Sequence, residues 1–176
     1  GLGVKVTSAI LALAGESLVP ALLLTALACI LLGMEVPTTA AYVICVTIAG
    51  PALQRLGIEP LLAHLFVFWF ALLSTITPPV CGAVFIAAGM AGENWLKVAG
   101  TAMRLGVGLY VIPLAMISKP SIIHLADRPF GACVAFVQIA AGLWLLSLGL
   151  IGTMAPWKRA VLGLAGLAVC LAPAPA

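Results

Sequence analysis

Two short stretches of this chain place hydroxyls, backbone oxygens and prolines where a helix has to stop, and both have the makings of an ion site. The first is Gly33-Met34-Glu35-Val36-Pro37-Thr38-Thr39-Ala40-Ala41-Tyr42, in which a helix C-terminus, a tip and a helix N-terminus follow one another closely. Carbonyl oxygens left open at the first helix end suit Na⁺, a hard cation that prefers oxygen, while the N–H groups of the second arm favour an anionic group. Thr38 and Thr39 stand where they can cap the second arm or lend hydroxyl oxygens. The second stretch is Ser74-Thr75-Ile76-Thr77-Pro78-Pro79, a hydroxyl cluster running into a double proline. Each proline lacks an N–H and clashes with the preceding turn, and Thr77 and Pro78 are pushed toward extended geometry by the proline that follows. In hydrocarbon the carbonyls so freed are costly, and such a break survives only where protein, water or an ion satisfies them.

Each stretch has a plainer alternative. The first reads, less favoured, as an interfacial turn between tilted helices, and the second, also less favoured, as a proline kink whose hydroxyls rebond local carbonyls. Two interruptions in one short chain shift the balance toward transport. Glu35 is the only carboxylate close to a helix break, functional if it lies at membrane depth and merely solvated if it lies among headgroups. Arg104 either snorkels from its helix or meets a substrate carboxylate, with snorkelling favoured. His64 reads as an interfacial residue rather than a proton relay, and Lys5, Glu16 and Asp127 read as facing water. Cys29, Cys45, Cys81, Cys133 and Cys170 fall singly inside apolar runs, with no CxxC pair or metal-ligand spacing, and are expected as small core- or lipid-facing side chains. No phosphate loop, Ser-His-Asp set, HExxH or catalytic carboxylate pair is visible.

The elements that must hold these stretches are membrane helices. Hydrophobic residues fill 64% of 176 positions and charged residues 7%, against about 25% charged in a soluble domain. A formal charge of +3, widely dispersed, gives no footprint for nucleic acid. The basic residues read as topology markers, but Arg55, Lys119 and Arg128 on one side balance Lys97, Lys158 and Arg159 on the other and set no orientation. The expected fold is an all-α polytopic membrane protein with a re-entrant helical hairpin over 18–53, formed by Leu18 to Met34 and Ala40 to Leu53, and a discontinuous helix over 61–90, formed by Leu61 to Ile76 and Val80 to Met90. Arg55, Gly57, Glu59 and Pro60 make the turn between them. Two to three further transmembrane helices follow: Val98 to Ile117, Phe130 to Met154, and the short run Ala160 to Ala172. Gly100, Gly106, Gly108, Gly163 and Gly166 allow close helix packing. The chain opens at Gly1 without a methionine or an ordered signal peptide, and reads as a fragment.

Three motifs, Leu32 through Tyr42, Pro60 with Ala63-His64-Leu65-Phe66-Val67-Phe68, and Ile76-Thr77-Pro78-Pro79-Val80, occur together in an order and spacing that resemble the fused permease of tripartite ATP-independent periplasmic (TRAP) transporters, in the branch that works with TAXI-type substrate-binding proteins. The similarity runs from about Val4 to Pro120. It implies that 1–129 is the C-terminal part of the permease transport domain and 130–176 additional transmembrane helices. It further implies a Na⁺-coupled, elevator-like importer of small organic anions in the bacterial or archaeal cytoplasmic membrane, a multi-pass subunit rather than an enzyme, with no cofactor beyond the coupling ion. The partners implied are a periplasmic TAXI-type binding protein, the anion, the bilayer and the remainder of the permease chain, which would supply the first inverted repeat. By the same resemblance Gly33, Glu35, Pro37, Thr38, Thr39, Ser74, Thr75, Thr77, Pro78 and Pro79 form the substrate and ion region, with Na⁺ held at Gly33, Thr38, Thr75 and Thr77. Large subunits of the dicarboxylate and sialic-acid branch tend to carry an acidic residue where Pro37 stands, so no role of that carboxylate carries over. An integral membrane enzyme would need a nucleophile or ligand cluster that the residues do not offer; a non-catalytic assembly subunit is the other alternative.

Overall fold

Only a helix closes its backbone hydrogen bonds inside its own segment, so apolar runs with so few charges must coil. The computed structural model of the chain describes residues 2–173 except Glu16 and Glu35, and no side chain at positions 2, 3 and 11; the readings of Glu16 and Glu35 and the last residues of the Ala-Pro-Ala-Pro-Ala end lie outside the described residues. Among the described residues every regular element is helical. The chain divides into two compact units, Gly1–Met103 and Arg104–Ala176.

In the first unit, α1 (Leu2–Ala14), α2 (Leu18–Gly33), α3 (Thr38–Arg55) and α4 (Pro60–Leu73) pack on one another. Helix α2 shows why these helices suit lipid. Its inward residues include Ala21, Leu22, Thr25, Ala26, Cys29 and Gly33, mostly small, whereas Leu23, Leu27 and Leu31 form an exposed outward stripe. Small residues inside and leucines outside let backbones approach while the bulky chains meet apolar solvent. Helices α2 and α3 form a hairpin whose arms touch through the Cys45 thiol, 3.6 Å from the Cys29 carbonyl oxygen. Thr7 Oγ1 donates to the Ile48 carbonyl at 2.9 Å and ties α1 to α3. Gly57, at φ 82°, turns the chain from α3 into α4 in a conformation that side chains rarely adopt.

Helix α4 ends at Leu73, and α5 (Gly82–Ala91) does not begin until Gly82. The gap opens earlier than the expected break at Thr77 for a local reason. A proline ring collides with the carbonyl four residues back and offers it no N–H, so Pro78 and Pro79 stop the helical ladder at Ser74 and Thr75, although Ser74 itself keeps helical dihedrals of φ -56° and ψ -28°. Helix α5 packs on the start of α6 (Trp95–Leu105) through Cys81, Val84 and Ala99, with Phe85 edge-on to Trp95. The run Val98 to Ile117, expected as one spanning helix, is interrupted: α6 stops at Leu105 and α7 (Val107–Ser118) follows Gly106, whose ψ of 10° lies outside helical values. Hydropathy does not register that glycine, whose helix propensity is poor.

In the second unit a 3-10 turn (Pro120–Ile123) joins α7 to α8 (Pro129–Ile151), and α9 (Pro156–Leu171) returns along α8. Among the described residues α8 is the one unbroken helix long and apolar enough to cross a membrane, its 23 residues rising about 34 Å against ~30 Å of hydrocarbon. Helices α8 and α9 meet backbone to backbone. A Cβ built on Gly149 would lie 2.6 Å from the Gly163 nitrogen, and one on Gly166 2.6 Å from the Gly142 oxygen. Of the glycines expected at close contacts, Gly100 and Gly163 have nothing within 4 Å of their Cβ positions, Gly108 meets the Leu143 side chain at 3.3 Å, and Gly166 is closed off by backbone.

Charges in this unit close helix ends. Arg104 donates from Nε and Nη2 to the Leu150 carbonyl at 3.1 and 2.8 Å, and Arg159 donates to Gly149 and Leu150 at 3.1 and 2.8 Å, so two guanidinium groups cover the C-terminus of α8. Neither role weighed for Arg104 from sequence included this. Lys119, counted above as a loop charge, is 1% exposed and donates to the Val169 and Cys170 carbonyls at the end of α9. Gln138 Nε2 adds donors to Val169 and Ala172 at 3.3 and 3.5 Å. Burial pushes the Lys119 ammonium down in pKa, with Cys170 beside it pulling the other way. Cations at these ends oppose the negative pole of the helix dipole and satisfy carbonyls that no intrahelical donor reaches.

The glycine contacts give a sharp test. Gly149→Ala is expected to destabilise the protein by ~1–3 kcal/mol through overpacking, while Gly163→Ala, whose Cβ meets nothing within 4 Å, should be neutral or stabilising by up to ~1 kcal/mol. Thermal unfolding of the two variants in one detergent decides it; equal melting points would mean that α8 and α9 are not in backbone contact.

Candidate functional site

The two stretches singled out by their residue types converge. Gly33, the last residue of α2, packs against the end of α4: a Cβ at Gly33 would lie 2.7 Å from Ser74 Oγ, 3.0 Å from the Ala71 carbonyl oxygen and 3.1 Å from Ser74 Cβ. Only a glycine fits at that approach without displacing backbone. The tip end of the first arm and the broken end of the fourth helix are thereby in contact, although 41 positions separate Gly33 from Ser74.

At the break, the hydroxyls cap the helix. Ser74 Oγ donates to Ala71 O at 2.6 Å, Thr75 Oγ1 to Leu72 O at 2.9 Å and Thr77 Oγ1 to Leu73 O at 2.6 Å. The three hydroxyls thus take up three successive carbonyls of the last turn, two of which also accept the Thr75 and Ile76 amides at 3.2 Å, while the carbonyls that the prolines deprive of amide donors are those of Ser74 and Thr75, four residues back. This is local rebonding of the kind weighed from sequence. It uses the hydroxyl hydrogens and leaves oxygen lone pairs, the feature a cation needs. Ser74 is buried, Thr75, Thr77 and Pro78 are half-buried and Pro79 is exposed. The Pro78–Pro79 peptide is cis.

On the hairpin side the placement is mixed. Met34 turns extended after Gly33, and the Val36 amide reaches back to the Gly33 carbonyl at 3.4 Å. Pro37, not a threonine, occupies the N-cap of α3, and among the described residues no side-chain cap bond is made there. Thr38 and Thr39 are exposed in its first turn. Geometry therefore joins Gly33 to Ser74, Thr75 and Thr77 on one segment, while Pro37, Thr38 and Thr39 stand at the exposed start of the next helix; Glu35 lies outside the described residues.

The polarity of the helix ends distinguishes this place from the second unit. None of α2, α4, α8 and α9 carries a basic residue in its last turn; the difference is that Arg104, Arg159 and Lys119 reach the ends of α8 and α9 from other parts of the chain. The ends of α2 and α4 carry the usual negative partial charge of a helix C-terminus, and the side chains seen to cap α4 are neutral hydroxyls.

One pairing was missed from sequence. Tyr42, on the second arm, has its hydroxyl 2.8 Å from His64 Nδ1 on α4, and its ring meets Phe68 edge-on at 5.7 Å one helical turn further along. This fixes α3 against α4 and gives His64 a specific partner. Both residues sat inside the recurring motifs; only the long-range contact was invisible.

Gly33→Ala is expected to destabilise by ~1–3 kcal/mol because Ser74 and the Ala71 carbonyl must shift. Adding Ser74→Gly, which removes two of the three obstructing atoms, should recover part of that loss. A double-mutant cycle of melting temperatures measures the coupling; strict additivity would show that Gly33 and Ser74 do not touch.

Residues 1–129 match the family described as tripartite ATP-independent periplasmic transporter, DctM component. No curated protein and no solved structure matches the chain. The matched segment takes in both stretches and the contact that joins them. A match over so much of the sequence shows that this protein belongs to the DctM family, the membrane permease component of TRAP transporters.

Proposed function

We propose that this chain holds the ion and part of the substrate region of a Na⁺-coupled importer of small organic anions, supplied by a TAXI-type periplasmic binding protein. Transporters of this family work with a periplasmic substrate-binding protein and a small membrane subunit. What supports the finer reading is a single observation: the C-termini of α2 and α4, which among the described residues have no basic residue in their last turns, meet at Gly33 and Ser74. Two negative dipole ends brought together repel unless something positive lies between or beside them.

In this reading α2 and α3 are a re-entrant hairpin and α4 and α5 a discontinuous helix in the cytoplasmic membrane of a bacterium or archaeon. The Gly33 carbonyl and the oxygens of Thr75 and Thr77, with Thr38 from the next helix, hold Na⁺. Pro78 and Pro79 keep the break open by denying it amide donors. Pro37, Thr39 and the first turn of α3 face the substrate, whose carboxylate is drawn by the N–H groups of that turn; Glu35, next to them in sequence, lies outside the described residues. Ser74 positions the two ends through its contact with Gly33. The remainder of the permease supplies the matching repeat.

Reconstituted permease, given its small subunit and binding protein, should take up labelled organic acid only under an inward Na⁺ gradient. Thr77→Val removes one oxygen at nearly constant shape and is expected to raise the half-saturating Na⁺ concentration about tenfold, equivalent to ~1.4 kcal/mol, at unchanged expression. Uptake indifferent to Na⁺ would sink the coupling, and product formation without a gradient would turn the reading toward an enzyme.

A further inference from the structure

A second polar place lies outside the hairpin and the broken helix, within the second unit. A cavity of about 680 Å³ is lined by Ser118, Lys119, Ser121, His124, Asp127 and Arg128, where the 3-10 turn leads into α8. Its charged side chains are Lys119, Arg128 and Asp127, an excess of positive charge before His124 is counted. Lys119 is buried and fixed by its bonds to the end of α9, so its charge is held at the cavity by the fold. Arg128 is exposed; its backbone forms the N-cap of α8 and no side-chain cap bond is made there.

The same turn borders a second cavity of different chemistry. Ser121 and His124 line the polar cavity, whereas their neighbours Ile122 and Leu125 line an apolar groove of about 320 Å³ with Ala132, Cys133, Phe136 and Val137 on α8. Phe136 and Val137 are exposed, as is Phe130 at the helix start. A cationic cavity and an apolar groove thus share one wall, at the first turns of the helix best suited to cross the bilayer. That level is where lipid headgroups and the tops of acyl chains lie.

We propose that this junction is a binding site for an anionic phospholipid of the surrounding bilayer, its phosphate in the cavity of Lys119, Arg128, Ser121 and His124 and an acyl chain in the groove of Ile122, Leu125, Cys133 and Phe136. A phosphate there meets the fixed Lys119 ammonium, the exposed Arg128 guanidinium and the N-terminal pole of α8. Asp127 opposes the phosphate and makes the site selective for headgroups that offer a hydroxyl donor beside the anion. A free phosphate would satisfy the cavity but leave the groove unfilled, so the paired arrangement selects the lipid.

The test uses the full chain in zwitterionic nanodiscs or detergent, titrated with phosphatidylglycerol, phosphatidylcholine and inorganic phosphate, with bound lipid counted by native mass spectrometry. Phosphatidylglycerol is expected to bind at least tenfold more tightly than phosphatidylcholine. Arg128→Gln should weaken that binding about fivefold, the effect of one basic residue near a membrane surface. Lys158→Gln, at the start of α9 and thus at the far end of α8, should leave it unchanged. Equal binding of the two lipids, or equal losses in both variants, overturns the site in favour of diffuse charge. Inorganic phosphate that binds as tightly as the lipid overturns the role of the groove. Should Arg128→Gln fail to fold, Ser121→Ala with the same Lys158→Gln control carries the comparison.

Discussion

A backbone carbonyl without a donor is tolerable in water and costly in hydrocarbon, and this chain cuts its helices repeatedly. Every cut creates a helix end that must be closed. At the end of α4 the closing groups are the hydroxyls of Ser74, Thr75 and Thr77. At the end of α8 they are the guanidinium groups of Arg104 and Arg159, and at the end of α9 the ammonium of Lys119 with the amide of Gln138. The choice between neutral and cationic caps sorts the chain into places that hold themselves shut and a place that keeps its negative pole.

Where a guanidinium covers a helix end, charge and hydrogen bonding are settled together, and a mobile cation has nothing to gain there. Hydroxyls settle the hydrogen bonding alone. The end of α4 is complete as structure yet unbalanced as electrostatics, and the contact of Gly33 with Ser74 sets a second end of the same polarity against it. Packing and charge are thereby joined at one pair of residues. A side chain at Gly33 would separate the two ends, and a basic residue in either last turn would neutralise them.

What was legible in the sequence is what is decided locally. Pro78 and Pro79 announce a break because ring sterics act within four residues, and the same rule, applied one turn further, would have placed the helix end at Leu73 rather than at Ile76. Phe130 to Met154 was readable as a span because length and hydropathy suffice, and α8 covers Pro129–Ile151. Val98 to Ile117 was read as continuous because Gly106 counts as harmless on a hydropathy scale while being poor in a helix. The uses of Arg104, Lys119 and Tyr42 were hidden for another reason. Their partners, Leu150, Cys170 and His64, lie 46, 51 and 22 positions away, and no periodicity within one element encodes them. Of the candidate site, residue types and breaks were visible; the contact that makes them one place was not.

The cysteines show a consequence of small-residue packing beyond the site. Cys29, Cys45, Cys81 and Cys170 are buried and Cys133 is exposed, all as reduced thiols. Cys45 lies across the arms of the hairpin, where its sulfur touches the Cys29 backbone. With Cys133 replaced, alkylation by a water-borne reagent therefore becomes a clock for local opening, since Cys45 acquires the label only in the moments when the two arms part.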